Sequence, residues 1–148
     1  MAVAELGRWW HAIGALASRL VTVETGMRGS ASLVVEQTDT AAAMKSGDVD
    51  VLSTPRLIAL CEEATMSALV GALDADHSSI GMRIRVDHLQ PTPIGASVTA
   101  EAVLDKIDGR RLTFTVSVSD SGGLVAAGKI TRAVVERSTF LDKCCSPA

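Results

Sequence analysis

Between residues 54 and 73, apolar side chains recur at three- and four-residue intervals: Leu57, Leu60, Cys61, Ala64, Ala68, Leu69 and Ala72. That is the repeat of a helix with one buried face. Thr54 is read as its N-cap and Pro55 as its first helical position, a pairing that marks a helix start; the spacing carries the helix to about Leu73. Downstream the period falls to two. In "GMRIRVDHLQ", Met82, Ile84 and Val86 alternate with Arg83, Arg85 and Asp87; in "RRLTFTVSVSD", Leu112, Phe114, Val116 and Val118 alternate with threonines and serines. These are strands with one apolar face. "ASVTAEAVLDKI" and "LVAAGKITRAVVER" are further strands, "PTP" breaks the chain, and "DGRR" and "SGG" are turn signals.

Ahead of the helix, "GSASLVVEQTDTA" (29–41) reads as a first strand and "MKSGDVDVLS" (44–53) as a polar loop. Earlier still, Leu6, Trp9, Trp10, Ile13, Leu16, Ala17 and Leu20 keep helical spacing, which predicts an amphipathic helix rather than a targeting peptide. The expected order is an N-terminal helix, a strand, a long helix and about four antiparallel strands. This is an α+β domain with the sheet wrapped around the helix. The expected divisions are an extension over residues 1–25, a domain over 26–141 and a tail over 142–148.

Composition narrows the function. Of 148 residues, 47% are hydrophobic and 21% charged, which is globular rather than disordered, and 3% aromatic, which leaves the core to aliphatic side chains. A net charge of -3 without a basic run argues against nucleic acid as a partner. No apolar run reaches the roughly 18 residues of a membrane span. Three cysteines, two of them adjacent, make no disulfide framework and suit a reducing compartment, so a cytoplasmic location is expected. No metal-ligand spacing, nucleophile elbow or phosphate-cradling glycine loop occurs, and no cofactor is expected.

Three polar residues stand out. With Leu57 at zero, Glu62 falls at about 140°, between Leu69 and Leu73, whereas Glu63 falls at about 240°, beside Arg56. Glu63 is therefore solvated, and Glu62 is either a boundary side chain or a carboxylate in a partly dry pocket, fit to act as base or nucleophile. His88 continues the face of Met82, Ile84 and Val86, as a satisfied core histidine or as a catalytic one. Thr54 lies two turns before Glu62, on the same side of the helix. His11 and His77 read as surface or loop residues.

The order and spacing of Thr54, Glu62 and His88, the phrase His88-x-x-x-Thr92-Pro93-x-Gly95 and the "GRRL" of residues 109–112 together resemble the hotdog-fold acyl-CoA thioesterases of the fluoroacetyl-CoA thioesterase type. The resemblance spans most of the chain. It implies a hotdog fold, a homodimer or higher oligomer with active sites near the subunit interface, and an acyl-CoA substrate. Thr54, Glu62 and His88 would be catalytic, with either Thr54 or Glu62 attacking. The Gly81 backbone N–H would face the thioester carbonyl, and Arg132 in the last strand would contact substrate. The loop of residues 44–53 lacks the phenylalanines that look like a lid in the fluoroacetyl-specific enzyme, and no histidine precedes Arg132. The alternative is a non-catalytic acyl-thioester binder or assembly protein on the same scaffold.

Overall fold

A computed structural model describes residues 22–145. The N-terminal helix expected over residues 6–20, and His11 with it, lie outside the described residues. The elements are β1 (Arg28–Val34), a 3-10 turn (Gln37–Asp39), α1 (Thr54–Ala68), β2 (His77–His88), β3 (Ser97–Asp108), β4 (Arg111–Asp120), β5 (Gly123–Glu136) and α2 (Arg137–Cys145). The strands form one antiparallel sheet in the order β1-β3-β4-β5-β2. α1 packs chiefly on β1 and β3 and only lightly on β4 and β2.

The alternation in β4 sets the core. Leu112, Phe114, Val116 and Val118 are all buried, and they meet Leu57, Leu60 and Ala64 of α1 together with Val98, Leu104 and Ile130 of the flanking strands. Aliphatic side chains fill the space with Phe114 at the centre, as the low aromatic content requires. β1 comes so close to α1 that a methyl group on Gly29 would sit 2.2 Å from the Ala68 backbone nitrogen. Glycine on the strand and Ala64 and Ala68 on the helix are what permit that approach. Gly109, at a φ of 59°, opens the two-residue turn joining Asp108 to Arg111, as the "DGRR" signal predicts.

Several expectations are corrected. The N-cap is Ser53, whose hydroxyl accepts from the Arg56 N–H at 3.1 Å, and Thr54 is the first helical residue. α1 stops at Ala68 rather than Leu73; Gly71, at a φ of 77°, turns the chain, although Leu69 and Ala72 stay buried. β1 ends at Val34 instead of 41, because Glu36 and Asp39 cap a 3-10 turn: the Glu36 N–H donates to Asp39 Oδ2 at 2.8 Å. β2 is an edge strand paired only with β5, so Met82 and Ile84, expected in the core, are 37% and 38% exposed. His77 is buried rather than superficial, with Nδ1 2.7 Å from Asp74 Oδ1. Residues 137–145 form a helix where a domain end and tail were expected.

Candidate active site

Ser53 does two jobs at the start of α1. It caps the helix, and its hydroxyl also donates to Met44 Sδ at 2.8 Å, tying the preceding loop down. Arg56 Nε donates to the nearly buried Asp39 at 3.2 Å, fixing the first turn against the 3-10 segment. With capping delegated to Ser53, the Thr54 hydroxyl is left for another partner. That partner is His88, the last residue of β2: Thr54 Oγ1 lies 2.9 Å from His88 Nδ1.

The other ring nitrogen of His88, Nε2, is buried without a hydrogen-bond partner among the described residues. Burial pushes the His88 pKa below its ordinary 6.5, and a backbone hydrogen bond at Gln90 opposes this more weakly. The imidazole is therefore neutral at neutral pH, with one basic nitrogen in reach of a hydroxyl. A nucleophile and base in this contact are the minimum apparatus for acyl transfer. The pair opens on a cleft of about 270 Å³, whose lining includes Ala41, Leu52, Leu89 and Pro91.

Glu62 and Glu63 separate as helix phase predicts. The Glu63 side chain is 55% exposed, 4.0 Å from Arg56, whereas that of Glu62 is 32% exposed and turned toward the sheet. There Arg132 Nη1 donates to Glu62 Oε2 at 3.2 Å. Arg132 is 4% exposed and each of its nitrogens donates: Nε to Ser79 Oγ and Nη2 to the Ser79 carbonyl, both at 2.8 Å, with Nη1 also 3.4 Å from Thr65 Oγ1. Burial lowers the Arg132 pKa and the Glu62 charge opposes that shift. Below the carboxylate lies Gly81, where an added methyl would stand 2.5 Å from Glu62 Oε2. Neighbouring Cys61 is fully buried, and burial followed by the Glu62 charge pushes its thiol up to about 11, so it stays protonated and unreactive.

The five residues singled out in the sequence thus form two clusters, Thr54 with His88 and Glu62 with Gly81 and Arg132. No hydrogen bond links them among the described residues. Eight helical residues advance about 12 Å along the axis, so the two clusters are served by turns of α1 two apart. Sequence reasoning missed Ser79 and Thr65, the residues that fix Arg132. The only signal for Ser79 is its place two residues before Gly81, which pairs with Arg132 across the sheet. No group of His, Cys, Asp and Glu among the described residues could hold a metal ion.

The family model described as fluoroacetyl-CoA-specific thioesterase matches residues 35–138, a span that takes in both clusters. The chain belongs to this thioesterase family. Among its relatives, the fluoroacetyl-CoA thioesterase of Streptantibioticus cattleyicolor is 34% identical over 94 residues, covering 64% of this chain and 68% of that protein. The solved structure of the fluoroacetyl-CoA thioesterase FlK superposes with a TM-score of 0.79 at 28% identity, over 84% of this chain and 98% of that one. A hot-dog-like protein from Thermanaerovibrio acidaminovorans aligns at a TM-score of 0.75 and 23% identity, over 84% and 92% of the two chains, and shares the fold. The hotdog architecture of this thioesterase family is therefore that of the five-stranded sheet around α1. No helix among the described residues is long and apolar enough to cross a membrane.

Proposed function

We propose that residues 26–141 form an acyl-CoA thioester hydrolase in which Thr54 and His88 carry the chemistry. The observation behind this reading is the 2.9 Å contact between a hydroxyl at a helix N-terminus and an imidazole kept neutral by burial. Thr54 Oγ1 attacks the acyl carbon while its proton passes to His88 Nδ1. The carbon–sulfur bond breaks, and the departing thiolate takes that proton to leave as free CoA thiol. Water then attacks the acyl-threonine, gives a proton to His88, and the acid leaves as Thr54 recovers its own. The positive end of α1, with the Gly81 backbone N–H, stabilises the oxyanion.

Glu62 reaches the same site by way of a second copy. Among the described residues β2 leaves its outer edge unpaired, and its middle residues, Gly81 to Arg85, are exposed on an edge α1 scarcely covers. Such an edge is a template for another strand. A second β2 added antiparallel about a two-fold axis near Ile84 sets the Gly81 end of one strand beside the His88 end of the other. Each site of the homodimer then joins Thr54 and His88 of one chain to Glu62 and Gly81 of its partner, where Glu62 orients the attacking water. Arg132, buried and bonded to Ser79 and Thr65 inside the chain, acts by holding Glu62 rather than by touching substrate. The three free thiols support a cytoplasmic setting.

The test follows free thiol released from an acyl-CoA panel by the wild type and by Thr54→Ala and His88→Ala. Hydrolysis by the wild type, with a drop of about 10²–10⁴-fold in each folded variant, is expected. Wild-type binding without thiol release would instead make the protein a non-catalytic acyl-thioester binder.

A further inference from the structure

The cleft beside Thr54 and His88 exceeds what a two-carbon acyl group fills. Its volume of about 270 Å³ holds roughly nine water-sized groups. Leu52 and Ala41, 1% and 8% exposed, make the floor, with Val51, Leu89 and Pro91 around it. Ser46 and Gln90 supply the polar lining beyond the Thr54–His88 pair, and no charged side chain lines it. Neither phenylalanine of the sequence enters: Phe114 is in the core and Phe140 lies in α2. The small side chains of Ala41 and Ser46 border the space, and nothing bulky fills it.

The walls are held open by the backbone. The Ala41 N–H donates to the Val51 carbonyl at 2.9 Å, the Ser46 N–H to the Ala41 carbonyl at 3.0 Å, and the Leu52 N–H to the Thr92 carbonyl at 2.8 Å. The Ser53–Met44 contact closes the loop from the helix side. The cleft is open on one side, with Ser46, Leu89, Gln90 and Pro91 exposed at its rim, and an apolar chain lying in it covers Leu52, Ala41 and Leu89 without first ordering the loop.

Resting on the thioesterase reading above, we propose that this cleft takes the acyl chain and that the preferred substrates are unbranched aliphatic acyl-CoAs of about four to eight carbons. The chain runs from the carbonyl at Thr54 over Leu52 and Ala41 and ends near Ser46. The uncharged lining rejects acyl groups that end in a carboxylate, which would lose hydration there without a partner.

The experiment measures kcat/KM for straight-chain acyl-CoAs from two to twelve carbons, for the wild type, Ser46→Phe and Ser46→Leu. The wild-type value rises with each methylene, by at most about fourfold, until the cleft is full. Ser46→Phe lowers the ratio of six-carbon to two-carbon activity by about tenfold, and Ser46→Leu by less, with folding of each checked by thermal melting. A wild type fastest on acetyl-CoA, or a ratio unmoved in a folded Ser46 variant, overturns the acyl-cleft assignment and leaves the hydrolase standing. No thiol release from any chain length overturns both.

Discussion

Gly81→Ala separates the catalytic account from the packing of the fold. Gly81 lies on the exposed edge strand, and its φ is not in the left-handed region, so an alanine backbone fits without strain. The new methyl, however, would stand 2.5 Å from Glu62 Oε2 and 3.5 Å from Glu62 Cδ. Relieving the first contact moves the carboxylate oxygen by about 1 Å, and a misplacement of that size costs about 10²-fold in rate. The Arg132 hydrogen bond to the same oxygen, now 3.2 Å, stretches with it. Because the displaced atom is the tip of a flexible side chain, stability should change by no more than about 0.5 kcal/mol. Steady-state thiol release should therefore show kcat down by about 10²-fold, with an unmoved urea midpoint. A kcat within about threefold of wild type would refute the claim that the placement of Glu62 governs turnover.

Arg132→Met should destabilise the fold by about 2 kcal/mol in urea titration and lower kcat. It strips the cation from a carboxylate that is one-third exposed and leaves the Ser79 carbonyl without its donor. Arg132→Lys should recover stability more than rate, since an ammonium lacks the fork that spans Ser79 and Glu62. Burial disfavours protonated His88, so the basic form persists to lower pH; the acid limb of kcat/KM against pH should have its midpoint below 6.5. A kcat/KM that shows no acid limb in the His88→Ala-sensitive activity down to about pH 5 would mean that His88 is not the base. Phe114→Ala should cost about 3–5 kcal/mol, read from the urea midpoint, because Phe114 is fully buried at the centre of the core.

The periodicity of β4 and the phase of α1 were legible because both report burial against one continuous core, and helix geometry alone divides Glu62 from Glu63. Other readings failed where tertiary context outweighed local pattern. Ser53 and Thr54 are both cap-forming types; the cap is Ser53, whose hydroxyl also meets Met44, a contact no spacing rule predicts. Alternation sets His88 on a core face but cannot tell an edge strand from a central one, and along β2 only Val86 packs on the core while Met82 and Ile84 stay more than a third exposed. His77 gave no signal because its partner, Asp74, reaches it through a turn. The short α2 has no buried residues and so no apolar stripe to read. Thr54, Glu62 and His88 stood out in the sequence, but their division into two clusters depends on the distance α1 sets between them.

That division gives the most direct test. Glu62→Ala and His88→Ala, each inactive alone, are mixed, partly unfolded to exchange chains and refolded together. If each site takes His88 from one chain and Glu62 from the other, half of the dimers are mixed and each rebuilds one intact site, so activity returns to about a quarter of wild type. Return of thiol release to that level is the predicted result. If mixed dimers form and remain as inactive as their parents, Glu62 and His88 do not meet across two copies.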